Sequence, residues 1–224
     1  MLTHTVGEYR RRRGGGSSGV SEQQQPTLVK ICGICDVDSA LAAVEAGADL
    51  LGFHFCDSPR RITPDEAVKI LDELPEGPAL VGVFIDQSPL EVNSIADFLG
   101  LDIVQLHGSE KPGFPSDQIV MKALKVRDGV IPDAEGWPDP ILLDSWSEDS
   151  RGGTGRTWDW EHAEALTVTR QVFVAGGLNP LNVGSVVRRL RPYGVDVSSG
   201  VESEPRVKDP ALIGAFIEAV KRQS

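Results

Sequence analysis

Residues 28–55 read LVKICGICDVDSALAAVEAGADLLGFHF, in which two short apolar runs enclose an amphipathic stretch. The runs over 28–32 and 49–55 have the length and composition of strands buried on both faces of a parallel sheet. The segment 37–46 between them has the spacing of apolar residues that favours a helix. We therefore predict a β-α-β unit, and the same alternation continues toward the C-terminus.

Six more apolar runs predict strands, over 79–85, 102–106, 119–125, 141–144, 171–175 and 194–198. Amphipathic patterns predict helices over 37–46, 64–74, 89–99, 159–166, 180–191 and 209–222. Four of these helices have a polar capping residue directly before a proline, namely Thr63, Ser88, Asn179 and Asp209. Eight strands with intervening helices favour a closed (β/α)8 TIM barrel over an open sheet.

Two connections break the alternation. Residues 109–116 and 127–140 are rich in proline and glycine, so we predict shortened or missing helices after strands 4 and 5. The N-terminal residues 1–26 combine four consecutive arginines with glycine and glutamine runs, which favours a disordered extension. The remaining residues 27–224 are predicted to form a single catalytic domain.

Composition narrows the class of protein. The formal net charge of the 224 residues is −11, which argues against a nucleic-acid partner because phosphate backbones require clustered cations. No apolar run approaches the roughly 18 to 20 residues that a bilayer span needs, so no membrane partner is expected. Three cysteines do not form a disulfide framework. We predict a cytoplasmic protein, monomeric or homodimeric.

Reactive side chains follow several predicted strands, where the active site of such a barrel forms. They are Cys32, Arg60, Asp86, His107, Asp144, the pair Gly176 and Gly177, and the segment 196–200. Glycines allow backbone amides to approach phosphate oxygens. We therefore predict a phosphate site after strands 7 and 8, formed by Gly176, Gly177, Ser198, Ser199 and Gly200. The glycine-rich segment 152–155 is predicted to be a mobile loop over the substrate.

Several of these stretches occur in the order found in one enzyme family. They are 30–34 (KICGI), 52–55 (GFHF), 58–62 (SPRRI), 81–84 (VGVF), 104–108 (VQLHG), 142–145 (LLDS), 152–155 (GGTG), 157–160 (TWDW), 175–180 (AGGLNP) and 195–202 (VDVSSGVE). Together they resemble phosphoribosylanthranilate isomerase of tryptophan biosynthesis, from about residue 28 to 222.

The resemblance implies an Amadori rearrangement of a phosphorylated aminoribose. In this chemistry an acid protonates the furanose ring oxygen, and a base then removes the C2 proton, with no metal or organic cofactor. By match to the family, Cys32 is the base and Asp144 the acid. Arg60 is implied to bind the anthranilate carboxylate and Asp196 the sugar hydroxyls. Gln105 and His107 are predicted to line the substrate site.

Three alternatives remain open at this point. Cys32 and Cys35 form a C-x-x-C pattern, which is also found in thiol–disulfide oxidoreductases and predicts sensitivity to oxidation. The family usually has a hydroxyl residue where this chain has Cys35. A second alternative is the related aminoribose-phosphate isomerase of histidine biosynthesis, which typically has Asp in place of Cys32. The third is a phosphate-binding barrel without catalytic activity.

Overall fold

The structure, a computed structural model, describes residues 26–127, 129–145 and 161–223. Eight parallel strands close into a barrel, and each pairs with the next along the chain. The strands are β1 (Leu28–Cys32), β2 (Leu50–His54), β3 (Ala79–Phe84), β4 (Ile103–Leu106), β5 (Ile119–Val126), β6 (Ile141–Ser145), β7 (Val172–Ala175) and β8 (Gly194–Val197). The predicted TIM barrel is therefore confirmed.

Six α-helices cover the outside of this barrel in the described part of the chain. They are α1 (Val37–Ala46), α2 (Pro64–Leu71), α3 (Pro89–Leu99), α4 (Glu161–Thr169), α5 (Val183–Leu190) and α6 (Pro210–Lys221). Among the described residues no helix follows β4 or β5, as the proline- and glycine-rich connections predict. After β8 come a 3-10 turn (Ser199–Val201) and a short hairpin of β9 (Glu202–Glu204) and β10 (Val207–Lys208).

The interior of the barrel is packed with side chains of alternate strand residues, because successive residues of a strand face opposite sides. This apolar cluster includes Leu50, Val81, Ile103, Met121, Leu142 and Phe173. Phe173 has no exposed surface, and full burial of such a side chain contributes about 1.5 to 3 kcal/mol. A second, larger cluster lies between the outer faces of the strands and the helices. The apolar interior leaves the polar side chains at the carboxyl ends of the strands.

Three of the four predicted helix caps are present. Thr63 and Glu66 form a reciprocal capping box, Ser88 accepts a hydrogen bond from the amide of Glu91, and Asp209 caps α6. The prediction for Asn179 was wrong: α5 begins at Val183 instead of residue 180. The Asn179 side chain accepts a hydrogen bond from the amide of Leu181 and so stabilises a turn that precedes the helix.

Several predictions concern residues outside the described part of the chain. The N-terminal extension falls almost entirely in residues 1–25, and the glycine-rich segment 152–155 falls in 146–160. Both stay predictions. Within the described ranges, no helix has the length and apolar character required to span a membrane.

Candidate active site

A cavity of about 410 Å³ opens at the carboxyl ends of the barrel strands. Of the residues selected from the sequence, all but Asp86 line it: Cys32, Arg60, Gln105, His107, Asp144, Gly176, Gly177, Asp196, Ser198, Ser199 and Gly200. Asp86 does not line this cavity; it is an exposed residue that accepts hydrogen bonds from Ser109. The cavity also contains His54, which the sequence analysis did not select.

Cys32 ends β1 and is only 4% exposed. Its Sγ lies 3.3 Å from Nε2 of His54, the last residue of β2. The neighbouring strand makes room for the sulfur because residue 52 is a glycine: a Cβ at Gly52 would lie 2.7 Å from Sγ and 3.1 Å from Nζ of Lys30. Lys30 and Cys32 thus face the same side of β1, as residues two apart in a strand should.

Burial and the neighbouring charges shift the pKa of the Cys32 thiol in opposing directions. Burial raises the pKa of the thiol, and the carboxylate of Asp196 raises it further, whereas the ammonium groups of Lys30 and Lys208 lower it. The net direction is upward, so the thiol is the dominant form of Cys32 at neutral pH. Lys30 and Lys208 supply the positive charge that a thiolate would need.

Asp144 comes from β6 and faces His107, which follows β4. Oδ2 of Asp144 and Nε2 of His107 are 3.2 Å apart, within hydrogen-bond distance. The two side chains are 27% and 21% exposed, so both are accessible from the cavity. A carboxyl group in this position can exchange a proton with a ligand while the imidazole holds its orientation.

Arg60 lies in the connection after β2 and forms a two-point ion pair with Glu202. Its Nε and Nη2 donate hydrogen bonds of 2.6 Å to the two carboxylate oxygens of Glu202. Lys208 donates to the same carboxylate at 2.9 Å, and its side chain is fully buried. Burial by itself would raise the pKa of Glu202, but hydrogen bonds from Arg60 and Lys208 outweigh it, and the pKa is lowered.

Two buried polar side chains contribute to the floor of the cavity. Gln105 is 2% exposed, and its Oε1 has no hydrogen-bond partner among the described residues. A buried acceptor without a partner is costly, which favours a ligand that donates to it. Asp196, from β8, accepts a 2.9 Å hydrogen bond from the buried ammonium of Lys30.

The loops after β7 and β8 line the same cavity. Gly176 and Gly177 both have positive φ, 87° and 65°, which turns the chain sharply after β7. Gly200 packs so closely that a Cβ there would lie 1.8 Å from the carbonyl oxygen of Leu178. Lys208 donates a 3.0 Å hydrogen bond to the carbonyl of Ser198 and fixes the start of the second loop. The two loops after β7 and β8 are therefore held against each other.

The sequence analysis did not select four residues at this site: Lys30, His54, Glu202 and Lys208. For Lys30 and His54 the sequence contained a signal. Lys30 lies two residues before Cys32 on β1, and His54 lies two residues after Gly52 on β2, so each faces the same side of its strand as that neighbour. Glu202 and Lys208 reach the site through the β9–β10 hairpin, which no pattern in the sequence predicted.

All three cysteines are free, and Cys35 points its Sγ toward the carbonyl oxygens of Gly33 and Arg60, 3.5 Å from each. Within the described ranges, no three His, Cys, Asp or Glu side chains form a group that could hold a metal ion.

A closed eight-stranded barrel that gathers a thiol, a carboxyl group and two glycine-containing loops at one end defines a TIM-barrel enzyme. Comparison with known proteins narrows this class. The model of the family described as "N-(5'phosphoribosyl)anthranilate (PRA) isomerase" matches residues 29–219. The chain belongs to this family.

Individual relatives agree with that assignment. N-(5'-phosphoribosyl)anthranilate isomerase from Pelobacter propionicus is 46% identical over 198 residues, covering 86% of this chain and 95% of the relative. The crystal structure of phosphoribosyl anthranilate isomerase from Thermotoga maritima is 38% identical, with a TM-score of 0.79 over 88% of this chain and 99% of that one. A further solved structure of such an isomerase contains reduced 1-(o-carboxyphenylamino)-1-deoxyribulose 5-phosphate. It is 36% identical, with a TM-score of 0.75, and covers 88% of this chain and 99% of that chain.

Proposed function

We infer that this chain converts N-(5'-phosphoribosyl)anthranilate into 1-(o-carboxyphenylamino)-1-deoxyribulose 5-phosphate, an isomerisation in tryptophan biosynthesis. Membership in the family gives the reaction. The observation that carries the inference is the geometry of one cavity, lined by a thiol on β1, a carboxyl group on β6 and the loops after β7 and β8. These are the groups that an acid–base isomerisation of a sugar phosphate requires.

Asp144 acts first, as the general acid. The bond between C1 and the furanose ring oxygen breaks, the ring oxygen takes the proton from Asp144, and the nitrogen lone pair forms the C=N bond of a Schiff base. His107 lies within hydrogen-bond distance of the same carboxyl group and holds its orientation. The ring opening therefore consumes one proton from the enzyme.

Cys32 acts second, as the general base. Its thiolate removes the proton from C2, and the electron pair of that C–H bond forms the C1=C2 double bond of an enolamine. The Asp144 carboxylate then takes the C2 hydroxyl proton and the Cys32 thiol returns a proton to C1, which gives the ketone and restores both groups. Atoms and charge therefore balance over the whole isomerisation. The positive charges of Lys30 and Lys208 favour the thiolate against the effect of burial.

The remaining cavity residues bind the substrate. Nη1 of Arg60 makes no hydrogen bond to any residue that the structure describes, and this edge of the guanidinium suits the anthranilate carboxylate. Oε1 of Gln105 is an acceptor for a substrate N–H or O–H group. Asp196 is proposed to accept from the ribose hydroxyls. The phosphate is proposed to bind the backbone of Gly176, Gly177 and residues 198–200.

The alternatives from the sequence are less well supported. A thiol–disulfide oxidoreductase uses neither a carboxyl group in the position of Asp144 nor the two loops after β7 and β8. The histidine-pathway isomerase would have Asp at position 32, where this chain has a thiol. A binding protein without activity gives no reason for an acid and a base in one cavity.

The direct experiment is an assay of the purified full-length chain with N-(5'-phosphoribosyl)anthranilate. Loss of substrate fluorescence, with the product identified by mass spectrometry, is the expected result. The aminoribose substrate of the histidine-pathway isomerase serves as the competitor in parallel reactions. Asp86→Asn is a matched control, because Asp86 lies outside the cavity, and it should have the wild-type rate. An inactive wild-type protein, or turnover of the competitor alone, would overturn the proposal.

Compartment and assembly stay predictions. We propose a cytoplasmic protein that is a monomer or a homodimer. Sedimentation equilibrium of the purified chain distinguishes these two states, and a larger assembly would contradict both.

A further inference from the structure

His54 ends β2 beside the proposed base and has no part in the reaction described above. Its ring touches polar atoms on both sides. Nε2 lies 3.3 Å from Sγ of Cys32, and Nδ1 lies 2.8 Å from Oγ of Ser58. A residue in this position contacts the atom that is proposed to take the substrate proton.

The hydrogen bonds of Ser58 determine which ring nitrogen carries the proton. Oγ of Ser58 already accepts a 3.1 Å hydrogen bond from the backbone amide of Arg60. Among the described residues, Nδ1 of His54 is the only acceptor that contacts this hydroxyl, so we assign the Ser58 O–H as the donor to Nδ1, which satisfies both roles of the hydroxyl. The proton of the neutral imidazole therefore sits on Nε2 and points toward Sγ of Cys32.

Burial and the surrounding charges keep this imidazole neutral. Burial, followed by the positive side chains of Lys30, Arg60 and Lys208, lowers the pKa of His54 to about 3. A thiolate–imidazolium pair of the kind used by cysteine proteases is thus disfavoured. Charged and titratable groups face the Cys32–His54 pair from each neighbouring element: Lys30 on β1, Cys56 and Arg60 after β2, His107 after β4, Asp196 on β8 and Lys208 on β10.

We propose that His54 is a positioning residue for Cys32: it donates the Nε2 proton to Sγ, and Ser58 fixes its tautomer. This inference rests on the proposed function, since it gives Cys32 the role of base. A hydrogen bond to the charged form of a group favours that form. His54 therefore lowers the pKa of Cys32 relative to a site without it, and it directs the sulfur into the cavity. The C2 proton ends on sulfur, and His54 keeps its own proton throughout.

The test compares three variants in a Cys35→Ser background. His54→Leu removes the donor, His54→Gln keeps an amide N–H of similar reach, and Ser58→Ala removes the hydroxyl that fixes the tautomer. The readout is the rate at which iodoacetamide alkylates Cys32 at near-neutral pH, followed on the Cys32 peptide by mass spectrometry. This rate follows the thiolate fraction and needs no substrate.

We expect His54→Leu to raise the pKa of Cys32 by about one unit, because a hydrogen bond to a charged group contributes roughly 1.5 kcal/mol or more. The alkylation rate should fall about tenfold, and kcat should fall by a similar factor with little change in KM. His54→Gln should recover part of both losses, and Ser58→Ala should lie between His54→Leu and wild type. A merely structural role would change the melting temperature without moving the pKa of the thiol.

Equal alkylation rates in wild type and His54→Leu would overturn the proposal, as would a His54→Gln variant no better than His54→Leu. If His54→Leu does not fold, the comparison of wild type with His54→Gln and Ser58→Ala decides in the same way. Failure of the proposed function is distinguishable, because an inactive wild-type chain can still show the predicted alkylation rates. An active wild-type chain whose alkylation rate is indifferent to His54 would refute only the role of His54.

Discussion

The ammonium group of Lys30 lies 2.9 Å from the carboxylate of Asp196, where β1 meets β8 and closes the barrel. The two residues are register partners in the parallel ladder, and the Lys30 side chain has no exposed surface. Burial alone would lower the pKa of Lys30, but Asp196 and Cys32 outweigh it and the pKa is raised. The ion pair therefore keeps a positive charge directly beneath the proposed base.

The first prediction concerns this ion pair. Lys30→Met should destabilise the protein by about 3 to 5 kcal/mol, because it leaves the carboxylate of Asp196 buried without its partner. The double variant Lys30→Met/Asp196→Asn should recover much of that loss, since it removes both charges. Urea unfolding of wild type, both single variants and the double variant gives the coupling free energy. Additive effects of the two substitutions would contradict a coupled buried pair.

The second prediction concerns recognition of the substrate carboxylate. Arg60→Lys should raise KM about 10- to 100-fold with a smaller effect on kcat, because one ammonium cannot replace a guanidinium that contacts two partners at once. Steady-state kinetics of wild type and the variant provide the measurement. Arg61→Lys is the matched control, as Arg61 is an exposed neighbour that does not line the cavity, and it should keep the wild-type KM. An unchanged KM in Arg60→Lys would remove the proposed role.

The third prediction concerns acid stability. The pKa of Glu202 in the folded protein is lower than its ordinary value of 4.5, so its ion pairs stabilise the fold above that value and this contribution is lost as the pH falls below it. Wild type should melt at a higher temperature than Glu202→Gln near neutral pH. The difference should shrink as the pH is lowered through and below the ordinary value. Thermal melts across this range test the sign, and a difference that grows in acid would contradict it.

The fourth prediction concerns the proposed phosphate site. Gly200→Ala should weaken competitive inhibition by inorganic phosphate at least tenfold and lower the melting temperature, because its Cβ would overlap the carbonyl of Leu178. Gly214→Ala is the matched control: Gly214 lies in α6 with no atom within 4 Å of an added Cβ. That change should stabilise the protein by about 0.5 to 1 kcal/mol, as alanine favours a helix over glycine. Equal phosphate inhibition in both variants would argue against a site at Gly200.

Much of the fold could be predicted because its signals are local. Apolar runs, capping residues and the proline- and glycine-rich stretches predicted the barrel and the two missing helices. The start of α5 was missed because Asn179 and Pro180 also suit a turn, and only tertiary contacts decide between a turn and a helix.

The residues at the carboxyl ends of the strands were predictable. Any closed parallel barrel brings these ends together, and with them Cys32, Asp144 and Gly176. The partners of those residues were not. The ion pair between Arg60 and Glu202 spans 142 residues of sequence. Pairs so distant depend on the packing of a hairpin whose position no local pattern encodes. The contact between His54 and Cys32 could have been predicted, because both residues end neighbouring strands and face the inside of the barrel.

The central claim is that one acid and one base in the same cavity isomerise N-(5'-phosphoribosyl)anthranilate. Its most direct test is kcat/KM of wild type, Cys32→Ser and Asp144→Asn, with folding verified by circular dichroism. The account predicts an active wild type and a loss of about 10²- to 10⁴-fold in each variant, the range that a positioned acid or base contributes. Wild-type activity in either folded variant would contradict it.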